Sequence, residues 1–176
     1  MRTFRILAVT VALFVVGQHA EAVRVTTQLT HSGPLINNRY PQISGSNVVW
    51  WGGSAGSNNV YLYDGTTTKP LTADGNNSSW AQVSGSNVVW QSNTGDGGTI
   101  EIYLYDGTST TRLTTNSYTD ERPAISGSNV AWNGAGGGPG AYNQIYYYNG
   151  SSVSQLTSNS FDSVAASVSG THVVWE

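Results

Sequence analysis

The chain has 176 residues, a formal charge of −3 at neutral pH, 10% charged residues and no cysteine. A chain of this charge offers no basic surface for phosphate backbones or anionic membranes, which argues against nucleic-acid binding. Without cysteine there are no disulfides, so the folded state must be stabilised by packing.

The first 22 residues are predicted to be a secretory signal peptide. Arg2 and Arg5 precede an apolar run from Ile6 to Val16, and the small-x-small triplet Ala20-Glu21-Ala22 follows. The run has 11 residues, whereas a membrane-spanning helix needs about 20, so cleavage is favoured over an uncleaved anchor. The mature chain, residues 23–176, would be periplasmic or extracellular, would not insert into the membrane, and would keep five basic and nine acidic side chains.

One eight-residue motif occurs four times after this segment. Its first copy is Ile43-Ser-Gly-Ser-Asn-Val-Val-Trp50, and the other copies begin at Val83, Ile125 and Val168. Each copy ends in a tryptophan, and successive tryptophans are 40, 42 and 43 residues apart. A period of about 40–45 residues built only from strand-like segments is typical of propeller blades. The four tryptophans are Trp50, Trp90, Trp132 and Trp175.

Two further landmarks keep the same period. Tyr61-Leu-Tyr-Asp-Gly-Thr66 returns from Tyr103 and, loosened, from Tyr146, and a Leu-Thr pair closes each unit. Each unit therefore has four short strand-like segments separated by turn residues. We predict an all-β propeller of four-stranded antiparallel blades, with about three complete blades and a partial one. The predicted blades are 41–72, 81–114, 123–157 and the partial 167–176, and residues 25–30 form a lone outer strand.

The tight turns and the variable loops are expected at opposite ends of the sheets. The Ser-Gly-Ser-Asn and Asp-Gly turns join strands one to two and three to four, so the remaining connections share the other end. This variable face would hold the loops 51–59, 91–101 and 133–144 and the links 31–40, 73–80, 115–122 and 158–165.

The repeat array stops in the middle of a blade. Propellers need about four to eight blades to close, and open sheet edges invite pairing. Three interpretations are considered: a portion of a longer gene product, a half-propeller that closes as a homo-dimer, and a four-bladed ring in which the N-terminal strand completes the last blade. The first is favoured, because the stop after Trp175 coincides with no turn or cap.

No catalytic residue, metal site or cofactor site is predicted. His172 occupies the slot that Asn47 holds in the first unit, and His31 lies beside no repeated acid. The segment 93–98 lacks the alternating carboxylates of a calcium loop. Asp120, Glu121 and Asp162 lie in links of the variable face, where paired acids could cleave glycosides but more often form turn hydrogen bonds. Asp120 and Asp162 are also counted among the candidate binding residues of that face.

Functional side chains should break the repeat. The slot three residues before the first-strand Ile or Val holds Tyr40, Trp80, Arg122 and Ala165 in the four units, and Trp51 and Tyr142 are extra aromatics in the variable loops. Exposed aromatic and arginine side chains suit binding to proteins or sugars, although packing beneath the loops is the alternative. The four repeated tryptophans are interpreted as packing between sheets.

These motifs resemble TolB-like propeller repeats, which are related to WD-repeat architectures, of bacterial exported proteins. The matching features are the Leu-Thr pair, the small residue or proline before the first strand (Pro41, Pro123), the Ser-Gly-Ser-Asn hairpin, the Val-Val-Trp strand and the Tyr-Leu-Tyr-Asp-Gly turn. The hairpin departs from the Ser-Pro-Asp-Gly of many such repeats. The resemblance implies four-stranded blades around a channel that serve as a binding platform, and it transfers no catalytic residue.

Our main hypothesis is an exported, non-catalytic propeller module that binds a protein or polysaccharide through its variable face. One alternative is the propeller portion of a secreted polysaccharide lyase or serine peptidase whose catalytic part is missing. Another is a structural repeat at the cell surface.

Overall fold

A computed structural model of the chain describes residues 8–13, 23–30, 37–54, 56–93, 98–136 and 141–176. Regular structure within these ranges consists only of β-strands. Of the predicted signal peptide, all but residues 8–13 lies outside the described part of the chain, as do His31 and most of its link. In the described ranges, no helix combines the length and apolar character needed to cross a bilayer.

Three four-stranded antiparallel sheets follow one another along the chain, and each is one blade. A two-stranded sheet precedes them, formed by β1 (Ala8–Leu13) and β2 (Val23–Gln28). Blade 1 comprises β3 (Asn37–Ser44), β4 (Asn47–Ser54), β5 (Ser57–Tyr63) and β6 (Thr68–Pro70). Blade 2 comprises β7 (Asn77–Ser84), β8 (Asn87–Asn93), β9 (Ile100–Tyr105) and β10 (Thr110–Arg112). Blade 3 comprises β11 (Asp120–Ser126), β12 (Asn129–Ala135), β13 (Asn143–Tyr148) and β14 (Val153–Gln155), and the partial blade β15 (Ser167–Ser169) and β16 (His172–Val174).

The sheets are arranged side by side with their first strands innermost. β3 contacts β7, β7 contacts β11 and β11 contacts β15, whereas the fourth strands lie at the outer edges. Between blades 1 and 2, Val49, Val60 and Leu62 pack against Val88 and Trp90, and an equivalent cluster joins blades 2 and 3. Burial of these apolar faces against neighbouring sheets is the main source of stability in a repeat fold. The predicted fold class, an all-β propeller with three complete blades and a partial one, is confirmed.

The two ends of the array do not meet among the described strands. β2 pairs with β1, and β15 and β16 form a separate two-stranded sheet. In this structure the N-terminal strand therefore pairs with β1 and does not complete the last blade; for the chain after signal cleavage, that interpretation stays a prediction. β1 falls inside the predicted signal peptide, so cleavage after Ala22 would leave β2 unpaired. The homo-dimer of half-rings stays a prediction.

The Ser-Gly-Ser-Asn turns link each blade to the next. The Gly85 N–H donates to Ser44 Oγ at 2.9 Å, and Asn47 Nδ2 donates to the Gly85 carbonyl at 2.6 Å. The same two bonds bind Gly127 to blade 2 and Gly170 to blade 3. The turn glycine has a φ near +60°, which exposes both backbone groups to the preceding blade. The motif is thus repeated because its serine and asparagine bind the neighbouring turn.

A bulge in the first strand of each complete blade changes the predicted boundaries. Pairing shifts register between Arg39 and Gln42, between Ser79 and Gln82, and between Glu121 and Ala124. The strands therefore begin three or four residues before the predicted blade starts, and the ends of the predicted links are strand. One residue at each bulge adopts a left-handed backbone, as does its counterpart in the partial blade: Tyr40, Trp80, Arg122 and Ala165, with φ between 49° and 57°. For a residue with a Cβ, this conformation costs about 1–2 kcal/mol.

We expect Ala165→Gly to raise the free energy of unfolding by about 0.5–1 kcal/mol. Glycine removes the left-handed penalty at this exposed position, and its greater freedom in the unfolded chain offsets part of the gain. Urea unfolding followed by circular dichroism measures the change. Ala166→Gly is the matched control, because that residue has no positive φ and should lose stability; a loss for both variants would contradict the strain at Ala165.

Candidate functional site

The bulge residues of neighbouring blades form one continuous stack. The Tyr40 ring lies 5.5 Å from the Trp51 ring and 6.3 Å from the Trp80 ring, centroid to centroid, with interplanar angles of 20° and 11°. The Arg122 guanidinium lies over the Trp80 ring at 5.6 Å, and that of Arg39 lies over the Trp51 ring at 5.9 Å. We call these five residues the aromatic stack. It joins the first strands of blades 1, 2 and 3, and Trp51 adds a ring from the second strand of blade 1.

The stack is largely open to solvent. Tyr40 is 65% exposed and Trp80 is 46% exposed, although both belong to strands at the centre of the array. A bulge re-aims the side chain that it carries, which explains how large rings on an inner strand avoid the packed interfaces. Ring-to-ring and cation–π contacts of this kind hold exposed side chains in defined positions. The surface is therefore both accessible and ordered.

The backbone beneath the stack is fixed by the residue that follows the repeated tryptophan. The Arg122 N–H donates to Gln91 Oε1 at 2.7 Å, which ties the bulge of blade 3 to blade 2. Arg122 Nε also lies 3.8 Å from Glu121 Oε1, a separation that leaves the guanidinium only loosely paired. In blade 1 the residue at the position of Gln91 is Trp51, which contributes its ring to the stack and not a hydrogen bond to the next bulge.

Four of the seven predicted binding residues meet in this stack: Tyr40, Trp51, Trp80 and Arg122. Arg39 is a fifth member that the sequence analysis missed, since it lies within a predicted link and outside the compared slot. What could have pointed to Arg39 in the sequence was its position immediately before Tyr40. Pairing of Arg39 with Trp51 across β3 and β4 brings the two side chains together.

Asp120 does not belong to this surface. It is 1% exposed and accepts hydrogen bonds from Trp132 Nε1 at 2.8 Å and Asn116 Nδ2 at 2.6 Å. Burial raises the pKa of its carboxyl to about 6, against which the two hydrogen bonds act. Its place at the start of β11, opposite Gly134, turns the carboxylate under the tryptophan and away from the solvent. Asp120 therefore supports blade 3 from within.

Tyr142 and Asp162 lie in a separate part of the variable face. Asp162 Oδ1 accepts a hydrogen bond from the Asn143 N–H at 2.7 Å, and thus caps the beginning of β13. Tyr142 precedes that strand, and its carbonyl accepts from the Gly136 N–H at 3.1 Å. Both residues are exposed, but no ring contact joins Tyr142 to the aromatic stack within the described residues.

The repeated tryptophans of the complete blades are buried side chains. Trp50, Trp90 and Trp132 each stack on the tyrosine opposite them on the third strand, at 5.7, 5.9 and 6.0 Å. Trp175 is 44% exposed, because the partial blade has no described third strand to cover it. In the described part of the chain, no group of three or more histidine, aspartate or glutamate side chains could hold a metal ion.

Comparison with known proteins shows the fold. No protein-family model matches the chain, and no curated protein matches it. Solved β-propeller structures, in contrast, do match the chain. The propeller domain of the Trilobed protease from Pyrococcus furiosus, which has an open velcro topology, aligns with a TM-score of 0.59 and 12% identity over 86% of this chain and 50% of its own.

Two further structures give the same result. TolB from Acinetobacter baumannii aligns with a TM-score of 0.53 and 22% identity, over 80% of this chain and 37% of its own. The acylaminoacyl peptidase from Pyrococcus horikoshii aligns with a TM-score of 0.59 and 14% identity, over 86% of this chain and 25% of its own. This chain thus spans half or less of each of the three structures. The predicted resemblance to TolB-like propellers is confirmed for the fold.

Proposed function

We propose that this chain is an exported, non-catalytic binding module and that the aromatic stack is its contact surface for a protein or polysaccharide. The observation that carries the proposal is the stacking of Trp51, Tyr40 and Trp80, with an arginine over each outer tryptophan. Function should lie where the repeat is broken, and these side chains differ from blade to blade while the backbone beneath them does not.

The side chains of the stack are those that contribute most to binding energy in interfaces. Tryptophan, tyrosine and arginine offer a large contact area, and the two aromatic residues lose little conformational entropy when they bind. Holding the rings against one another before binding lowers that cost further. A left-handed backbone maintained at the bulges also fits a functional surface, because strain of this kind concentrates at binding sites.

Charge distribution supports the same surface. The other basic side chains with described contacts are engaged elsewhere: Arg112 lies 3.2 Å from the buried Glu101, and Lys69 donates to the Tyr105 hydroxyl at 2.9 Å. The stack therefore has two arginines at the surface of an otherwise acidic chain. Guanidinium groups beside aromatic rings bind carboxylates and hydroxyls while the rings bind apolar surface.

Trp80→Ala and Arg122→Ala should each weaken binding at least tenfold, since truncation of a central interface residue typically costs about 2 kcal/mol. Binding partners would be found with a glycan array and with affinity capture from exported proteins, and dissociation constants measured by calorimetry. Tyr142→Ala is the matched control, because Tyr142 is as exposed as Trp80, at 46%, but lies outside the stack. Unchanged affinity in both stack variants, or an equal loss in the control, would count against the proposal.

A second candidate function follows from the likeness to peptidase propellers. In that case the chain would be the propeller portion of a larger secreted hydrolase. Peptide hydrolysis by the complete gene product, lost when a nucleophilic serine beyond these repeats is replaced, would distinguish this candidate from a free-standing binding module.

A further inference from the structure

The packing around the repeated tryptophan differs in blade 2. Trp50 Nε1 donates to Asn38 Oδ1 at 3.0 Å, and Trp132 Nε1 donates to Asp120 Oδ1 at 2.8 Å. The equivalent residue in blade 2 is Ser78, whose hydroxyl donates instead to Ser92 Oγ at 2.9 Å. No residue in the described part of the chain accepts a hydrogen bond from the Trp90 indole N–H. Buried indoles usually find an acceptor, so this donor needs an explanation.

Blade 2 differs from blades 1 and 3 at two positions, one on the first strand and one opposite it on the second strand. Asn38 faces Gly52, and Asp120 faces Gly134, across the first two strands of their blades. A Cβ on either glycine would collide with the side-chain oxygen opposite. In blade 2 the pair is Ser78 and Ser92. The two serines bond to each other, so neither of them takes the place of the acceptor that the tryptophan N–H has in blades 1 and 3.

A cavity of about 310 Å³ lies beside Trp90 and Ser92, between blades 1 and 2. Trp90, Ser92, Tyr103 and Thr110 line it from blade 2. The other wall comes from blade 1 and the link after it: Leu71, Thr72, Ala73 and Asp74. The volume is at the lower end of the range for small-molecule sites, about 300–1,000 Å³, and suits one ring more than an oligomer.

The lining groups define what could bind. The Trp90 N–H is a donor, whereas the Asp74 carboxylate is an acceptor, which already receives the Asn76 N–H at 3.1 Å and Asn76 Nδ2 at 2.9 Å. An anionic ligand would be repelled by Asp74, whereas a hydroxyl can accept from the indole and donate to the carboxylate. Leu71, Ala73 and the Tyr103 ring supply apolar contact for the C–H face of a ring.

We propose that this cavity binds a single neutral sugar residue, with the Trp90 indole N–H and the Asp74 carboxylate as its polar partners. The site is separate from the aromatic stack, so the proposal does not depend on the function proposed for that surface. It also adds a second contact point for a glycan on blade 2.

Indole NMR signals of the full chain test this directly. The ¹⁵N-tryptophan protein would be titrated with methyl α-glucopyranoside, methyl α-galactopyranoside and N-acetylglucosamine, with acetate as the anionic comparison. We expect the Trp90 Nε1–H resonance, assigned by its loss in Trp90→Phe, to shift saturably with at least one sugar and not with acetate. Asp74→Asn should weaken that response several-fold.

The double variant Ser78→Asp/Ser92→Gly provides the sharpest comparison. It reproduces the pair found in blade 3, so the new carboxylate should accept from the Trp90 N–H, as Asp120 does from Trp132, and deny that donor to a sugar while the fold is retained. We expect sugar affinity to fall at least tenfold in this variant and to stay unchanged in Tyr142→Ala, because Tyr142 lies outside both the cavity and the aromatic stack. No sugar response in the wild type, a response to acetate alone, or equal sugar affinity in the double variant would overturn the proposal. Polymer binding that is lost in Trp80→Ala, without any Trp90 shift by sugars, would contradict this inference and leave the stack proposal standing.

Discussion

Replacement of Trp132 with alanine should lower the free energy of unfolding by about 4 kcal/mol. Trp132 is fully buried, packs with Val89, Ile102 and Leu104 of blade 2, and stacks on Tyr146 of its own blade. Its removal opens a cavity between two sheets and deprives the buried Asp120 of a hydrogen-bond donor. Urea unfolding followed by tyrosine fluorescence and circular dichroism would measure the loss.

Trp175→Ala is the control at the equivalent position of the partial blade. Trp175 is 44% exposed and has no stacked tyrosine in the described residues, so its truncation should cost about 1 kcal/mol. Equal losses in the two variants would mean that the contribution of the repeated tryptophan is local to its strand and does not come from packing between blades.

Stability should rise as the pH falls from about 8 toward 5. Burial raises the pKa of Asp120 from 3.8 to about 6 in the folded state. The folded protein therefore binds this proton more tightly than the unfolded chain, so the penalty of burying the carboxylate is full well above pH 6 and is relieved as the pH falls through 6. A difference of about two pKa units corresponds to about 3 kcal/mol at its limit, of which only part is gained by pH 5.

Asp120→Asn isolates this effect. Asparagine keeps an oxygen that can accept from Trp132 Nε1 but carries no charge, so the variant should be more stable than the wild type at pH 8 and should show a flatter pH profile. The measurement must stay above pH 5, because backbone N–H groups of the turns lower the pKa of Asp64 and Asp106, whose stabilisation is lost in stronger acid. The buried Glu101, paired with Arg112, lies close enough to raise the Asp120 pKa further. Identical pH slopes in wild type and variant would contradict the assignment to Asp120.

The blade architecture could be read from the sequence because each of its elements has a local and repeated cause. The Asp64-Gly65 and Asp106-Gly107 pairs form turns in which the aspartate accepts hydrogen bonds from two following N–H groups. The Leu-Thr pair recurs since the threonine hydroxyl accepts the N–H of the third strand, as Thr72 does for Val60 at 2.9 Å. Such contacts must be made in every blade, so the residues recur with the period.

The site was harder to predict, because it depends on contacts between blades. The slot of Tyr40, Trp80 and Arg122 could be recognised as irregular, but its left-handed bulge and the stacking across 40 residues of sequence follow only from the arrangement of the sheets. Asp120 shares the same link in the sequence and yet is buried, since pairing with Gly134 places it beneath Trp132. Asp120 and Arg122 are only two residues apart on the same bulged strand, yet Asp120 is buried and Arg122 lies at the surface.

The proposed binding surface exists only if the bulge residues of neighbouring blades meet in solution. Nuclear Overhauser effects between the ring protons of Tyr40 and Trp80 would measure this in solution, and those between Trp90 and Tyr103 would serve as the internal reference within one blade. With ring centroids 6.3 Å apart for the first pair and 5.9 Å for the second, we expect both sets of cross-peaks. Cross-peaks within the blade but none between Tyr40 and Trp80 would show that the blades do not bring these side chains together, and the proposed binding surface would not exist.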